Sequence, residues 1–200
     1  MTVLTFAECG ERAMPGLVLL HGLGMGHRMW QPQLEAFGSR FHVLAPDLPG
    51  FGQSVAAGSF SITGAAADVA ALIDEHHGRP VHLCGLSLGA MVGLAMAIDQ
   101  PGSVESLVVS GAQMRPHRLL MAMQTAVMGL VPASRLFSSM SASIPGGRAE
   151  KADAREDLVT TGKPRLLAAV RNAGNADFRR FPLSRMSGRG RTVRRAGTTS

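Results

Sequence analysis

The sequence predicts an α/β fold in which a mostly parallel sheet is flanked by helices. Short, continuous apolar runs alternate with longer segments of helical spacing, which is the order of an open parallel sheet with right-handed crossovers. The runs GLVLL and SLVVS are typical of strands buried on both faces of such a sheet. The chain has 200 residues, of which 46% are hydrophobic, enough for one domain with a sizeable core.

Each predicted element follows from the length and spacing of its apolar residues. A run too short for a helix predicts a strand, and apolar residues three or four positions apart predict a helix. The predicted strands are 2–7, 16–20, 41–45, 81–84 and 106–110. The predicted helices are 28–37, 62–77 (with Thr63 as N-cap), 91–98, 118–131 and 163–177, and residues 133–164 are expected to be irregular apart from a short charged segment, 148–157.

The segment VHLCGLSLGA, residues 81–90, places Ser87 between a strand and an apolar helix. Gly85 and Gly89 flank the serine where a sharp turn has no room for a Cβ atom. In such a turn the serine backbone is strained and its hydroxyl faces open space at a helix N-terminus. The segment therefore predicts a nucleophile elbow with Ser87 as the nucleophile.

A serine nucleophile needs backbone N–H groups that stabilise the oxyanion of the reacting carbonyl. Leu88 follows the nucleophile and is predicted to supply one. Leu23 is predicted to supply the second, since Gly22 lets the loop after strand 16–20 approach closely. We expect His21 to orient this loop through hydrogen bonds and Asp47 to brace the neighbouring loop.

Three motifs occur in order: LLHGLGMGHRMW, VLAPDLPGFGQS and CGLSLGAMVGLAMA. Together they resemble the α/β-hydrolase family, in particular its esterase, lactonase and carbon–carbon-bond hydrolase branch, over about residues 14–135. The resemblance implies a serine hydrolase of an ester, lactone or similar carbonyl substrate, with Ser87 as nucleophile, Leu23 and Leu88 as oxyanion donors, and no metal or organic cofactor. It also implies a helical cap after strand 106–110. Met121, Met123 and Met128 of helix 118–131 would then line an acyl site or simply pack.

The sequence departs from this family after the nucleophile, where an acid and then a histidine should follow two later strands. His117 is the only histidine after Ser87, and Asp153, Asp157 and Asp177 follow no recognisable strand. We therefore expect the last core strands to be missing. Either His117 serves as the base, or the chain is a truncated or frame-shifted, catalytically incomplete fragment or pseudoenzyme.

A minor alternative is a dinucleotide-binding module, because the glycines at 22, 24 and 26 follow a strand and Asp47 comes about 20 residues later. The spacing is GxGxG, however, and lacks the third glycine of GxGxxG. That reading also leaves Gly85 and Gly89 unexplained.

The net charge of +6 comes from the end of the chain. Seven arginines and no acid follow Asp177, so the predicted organisation is a core at 1–115, a helical cap segment at 116–177 and a basic, disordered tail at 178–200. Without interleaved aromatics this tail predicts no specific nucleic-acid partner.

Two cysteines, no signal peptide and no membrane span favour a cytoplasmic protein with a small-molecule substrate. An unpaired sheet edge would favour self-association.

Overall fold

The computed structural model describes residues 3–112, 118–144, 146–176 and 178. The strands are β1 (Phe6–Cys9), β2 (Gly16–Leu20), β3 (His42–Pro46), β4 (Val81–Leu86) and β5 (Val104–Ser110). The helices are α1 (Gln31–Phe37), α2 (Ile62–His76), α3 (Leu88–Asp99), α4 (Arg118–Leu130), α5 (Ala133–Ala142), α6 (Arg148–Thr161) and α7 (Lys163–Gly174). Short 3-10 helices occupy His27–Trp30, Gly52–Ser54 and Pro101–Ser103.

The strands form one sheet in the order β1-β3-β2-β4-β5. β1 runs antiparallel to β3, and every other neighbouring pair is parallel. This confirms the predicted mostly parallel sheet. Because the four parallel strands point the same way, the loops that follow them lie at one edge of the sheet.

The two faces of the sheet bury separate apolar clusters. On one face, β-strand side chains such as Val18, Leu44 and Leu83 pack against α2 and α3. On the other, Leu17, Leu19 and Val43 pack against Leu34 of α1. β2 and β3 are fully buried because helices cover both faces, which is why their sequences are continuous apolar runs.

In the described part of the chain, the helices after β5 are α4 to α7, and they pack over the loops that follow the parallel strands. Leu158 of α6, Leu166 of α7 and Phe137 of α5 make a small cluster of their own. Asn172 of α7 accepts a hydrogen bond from the N–H of Ile62 at 3.0 Å and so ties α7 to the start of α2. Within the described ranges no single helix is long and apolar enough to cross a membrane, although α4 and α5, joined across a 117° bend, have that length and composition together.

Several predicted local features were wrong. Residues 133–164 contain α5 and α6 instead of irregular chain, because their stability comes from packing on α7 and the core. Strand 106–110, expected to be buried, is largely exposed as β5 at the edge of the described sheet. The N-cap of α2 is Ser61, whose hydroxyl accepts from the N–H of Gly64, and not Thr63. The predicted helix 28–37 is a 3-10 turn followed by α1.

Other predictions fall on residues outside the described ranges. These are His117 as a base, Asp177, and the basic tail beyond Phe178. The predicted domain boundaries at 115 and 177 also lie there and stay predictions.

Candidate active site

Ser87 joins β4 to α3 in a strained conformation. Its φ of 51° and ψ of −107° make it the only non-glycine residue with positive φ in the described part of the chain. The strain is held in place because the Ser87 N–H donates to the Ser110 carbonyl on β5 at 2.7 Å while α3 begins at the next residue. Such outliers persist where the surrounding structure fixes them, and they cluster at functional sites.

Gly85 and Gly89 make this turn sterically feasible. A Cβ atom on Gly85 would lie 2.6 Å from the backbone of Ala90, and one on Gly89 would lie 2.3 Å from the carbonyl oxygen of Leu20. Both contacts involve backbone atoms that cannot move aside. Gly85 therefore lets the start of α3 fold back closely on the end of β4, and Gly89 lets it pack directly onto the end of β2, which carries the next loop of the site.

The loop after β2 reaches Ser87. A Cβ atom on Gly22 would lie 3.9 Å from the Ser87 Cβ, so the two backbones are close neighbours. Leu23, Leu88 and Ser87 line the same cavity of about 130 Å³. The residues that sequence reasoning selected as nucleophile and oxyanion donors are thus brought together at one place.

His21 links this loop to the loop after β3. Its side chain is fully buried, its Nδ1 is 2.8 Å from the Gly22 carbonyl oxygen, and its Nε2 accepts from the Leu48 N–H at 2.9 Å. These partners require the tautomer with hydrogen on Nδ1, which is neutral. Burial lowers the pKa of His21, which also favours the neutral ring. The His21 side chain therefore joins the loop after β2 to the loop after β3 through hydrogen bonds.

Asp47 also links these two loops through hydrogen bonds. Its buried carboxylate accepts from the N–H of His27 at 2.5 Å and from the N–H of Gln53 at 2.7 Å, and the His27 Nδ1 lies 3.0 Å away. Burial alone would raise the pKa of Asp47, but the His27 ring and the two backbone donors outweigh it, so this pKa is lowered. The carboxylate is fully engaged, which speaks against a ribose-binding role and hence against a dinucleotide site.

The remaining cavity wall comes from the helical layer, and sequence reasoning found only part of it. Met121 of α4 lines the cavity, whereas Met123 is exposed and Met128 packs on the α5–α6–α7 cluster. The pattern of α7 gave no signal for a site, because its inward residues look like ordinary packing. The lining residues beyond Leu23, Ser87, Leu88 and Met121 are Met91, Gly111, Gln124, Val170 and Ala173.

The cavity presents the Ser87 side chain and mostly apolar walls but, among the described residues, no histidine or carboxylate in its lining. A serine hydroxyl is protonated at neutral pH and needs a neighbouring base to attack a carbonyl. Likewise, no three His, Cys, Asp or Glu side chains of the described ranges converge to hold a metal ion.

Sequence comparison identifies relatives among hydrolases. A family model described as "alpha/beta hydrolase fold" matches residues 15–183. A pimeloyl-[acyl-carrier protein] methyl ester esterase of Aeromonas hydrophila is 42% identical over 96 residues, which are 47% of this chain and 36% of that protein. The 3-oxoadipate enol-lactonase 1 of Acinetobacter baylyi is 31% identical over 52% of this chain and 39% of its own length. The chain thus matches well under half the length of these relatives.

Structural comparison gives the same fold. An enol-lactonase from Burkholderia xenovorans LB400 superposes with a TM-score of 0.77 at 25% identity, covering 90% of this chain and 73% of that one. A hydrolase from Pseudomonas aeruginosa PA01 superposes with a TM-score of 0.75 at 24% identity, covering 87% and 69% of the two chains.

Proposed function

The chain belongs to the α/β-hydrolase family, and from that premise we propose that it is a serine hydrolase acting on an ester, lactone or similar carbonyl compound. One observation carries the proposal: Ser87 has a strained backbone at the start of α3 and lines a cavity together with Leu23 and Leu88. The esterase and lactonase names of its relatives support the same class of substrate.

In the proposed mechanism the Ser87 oxygen attacks the carbonyl carbon of the substrate, and the serine proton passes to a base. The N–H groups of Leu23 and Leu88 stabilise the oxyanion that forms. Collapse of the tetrahedral intermediate expels the alcohol, which takes up the proton, and water then releases the acyl group from Ser87. The base that the sequence offers is His117, which lies outside the described residues.

The cavity also suggests the size of the acyl group. A volume of about 130 Å³ is close to that of an apolar cavity that accommodates benzene. The described lining is apolar apart from Ser87 and the amide of Gln124. A short, uncharged acyl group therefore fits, whereas a buried anionic group would lack a compensating cation among these residues.

The second candidate is a catalytically incomplete member of the family that binds carbonyl ligands without turning them over. It is favoured by the absence of a histidine or carboxylate from the described lining of the cavity. A serine without its base keeps little reactivity.

Hydrolysis of p-nitrophenyl butyrate by the wild type and by Ser87→Ala separates these candidates. If Ser87 is the nucleophile, its loss lowers the rate by about 10³-fold or more. Ser59→Ala, which removes an exposed serine on the loop before α2, should leave the rate unchanged. Equal rates for the wild type and Ser87→Ala contradict the catalytic proposal and leave the binding candidate. If the rate does depend on Ser87, His117→Ala tests in the same assay whether His117 is the base.

We also propose a location in the cytoplasm. Cys9 and Cys84 are both free thiols, which suits a reducing compartment. Fractionation of cells that express the chain tests this, and recovery in a periplasmic or secreted fraction would contradict it.

A further inference from the structure

Arg28 connects the helical layer to the loop beside Ser87. It lies in the 3-10 helix that follows this loop, and its guanidinium faces three carboxylates on one side of α6. The Arg28 Nη2 is 2.5 Å from Asp157 Oδ1, and Nη1 is 3.0 Å from Glu156 and 3.6 Å from Asp153. Of the three acids only Asp157 is buried, so the Arg28–Asp157 contact is the one least screened by water.

Removing either partner of this pair would leave a partly desolvated charge. Burial raises the pKa of Asp157, and the Arg28 guanidinium opposes that rise. The hydrogen bond to Asp157 in turn raises the pKa of Arg28. Loss of Arg28 leaves the buried Asp157 carboxylate without its cation, which costs more than breaking an exposed pair. Loss of Asp157 leaves the partly buried Arg28 guanidinium with only the more exposed carboxylates of Glu156 and Asp153.

The α6 helix rests directly on the loop that carries Leu23. A Cβ atom on Gly24 would lie 2.5 Å from the Leu158 Cδ2, and one on Gly26 would lie 3.1 Å from the Asp157 Oδ2. The loop is thus held between α6 above and the core below. On the core side, the hydrogen bonds of His21 and Asp47 anchor it.

We propose that Arg28 and Asp157 are positioning residues that fix α6 on loop 21–26 and so hold the Leu23 backbone beside Ser87. The role of Leu23 as an oxyanion donor rests on the proposed function, whereas the clamping of the loop does not. An oxyanion donor acts in the transition state, so a loosened loop should lower kcat more than it raises KM.

The clamp can be measured without any activity. Hydrogen exchange reports the opening of residues 22–28, and the emission of Trp30, the single tryptophan of the chain, reports on the same 3-10 helix. The variants are Arg28→Gln, Asp157→Asn and their combination. Arg155→Gln is the matched control, since Arg155 also lies on α6 but donates to Ser138 of α5 at 2.8 Å.

We expect Arg28→Gln and Asp157→Asn each to speed exchange in residues 22–28 by about tenfold or more and to shift the Trp30 emission. The double variant should add little to either single one, because the two residues act as a pair. Arg155→Gln should match the wild type. Arg28→Lys keeps the charge but not the planar guanidinium, and its exchange rate should lie between those of the wild type and Arg28→Gln. It replaces Arg28→Gln in the test if that variant does not fold.

The clamp would be overturned if residues 22–28 of Arg28→Gln or Arg28→Lys exchanged at the wild-type rate. It would also be overturned if Arg155→Gln accelerated this exchange as much as Arg28→Gln does. Where Ser87-dependent hydrolysis is present, kcat should fall about 10- to 100-fold with KM nearly unchanged. An unchanged kcat beside faster loop exchange would overturn the positioning role. If Ser87→Ala is as active as the wild type, the proposed function fails while the exchange arm still decides the clamp.

Discussion

At the scale of single residues, the site depends on how closely backbones approach one another. Ser87 adopts a positive φ because its N–H is bonded to Ser110 and its own carbonyl accepts from Met91 within α3. Gly89 makes the same packing possible, since the end of β2 occupies the space that a side chain would need. The strain at Ser87 is therefore maintained by its neighbours and not by local sequence preference.

Gly89→Ala should consequently destabilise the chain. Its new Cβ would lie 2.3 Å from the Leu20 carbonyl oxygen, and overpacking against backbone costs about 1–3 kcal/mol. Gly129→Ala in α4 is the control, because no atom beyond the adjoining backbone of its own helix lies within 4 Å of its Cβ position. That change should stabilise the helix by about 0.5–1 kcal/mol. Urea unfolding of both variants measures the difference, and equal stabilities would contradict the close packing of α3 on β2.

At the scale of elements, the end of α2 meets the start of β3, and through it β1, by way of titratable side chains. The ring of His77, the C-cap of α2, lies 3.3 Å from His42 between their Nδ1 atoms, and His42 Nε2 lies 2.7 Å from Glu8 of β1. Burial, then the neighbouring His42 and Arg79, lowers the pKa of His77 to about 4 from 6.5. The hydrogen bond from His42 lowers the pKa of Glu8.

These shifts predict loss of stability in acid. Between about pH 6.5 and 4 the unfolded chain binds more protons at His77 than the folded chain does. The free energy of unfolding is therefore highest, as far as His77 is concerned, above pH 6.5, and it falls as the pH drops towards 4. Glu8 acts with the same sign. His77→Gln should therefore reduce the dependence of the urea midpoint on pH in this range. An unchanged slope for His77→Gln would contradict this assignment.

The elements differ in how well the sequence predicts them. β2, β3 and the α3 segment were predicted because burial on every side leaves a continuous apolar signature. α6 was missed because its surface is charged and its few inward residues, such as Leu158, contact other elements instead of forming a strong stripe. The Arg28–Asp157 contact spans 129 positions, and no local pattern predicts it. The positions of Ser87, Leu23 and Leu88 were predictable because turns between strands and helices have local signatures.

At the scale of the whole molecule, the described sheet ends at β5. Val108 and Val109 point to opposite faces of this strand and are both exposed, because β5 pairs with β4 alone within the described ranges. The apolar run SLVVS predicts a buried strand, but the run alone does not show which neighbouring strand or helix would cover it. An edge strand of this kind is a template for pairing with another chain.

We expect copies of the chain to associate through this edge, and Val108→Lys to weaken the association. The lysine places a charge on the apolar face next to the unpaired backbone groups, a change that blunts natural sheet edges. Val159→Lys on α6 is a matched control, since Val159 is 59% exposed and Val108 is 58% exposed. Sedimentation velocity over about a tenfold range of concentration should show larger species for the wild type and Val159→Lys, and mainly monomer for Val108→Lys. A wild type that is monomeric throughout, or an equal effect of the two lysines, would show that β5 is not the contact surface.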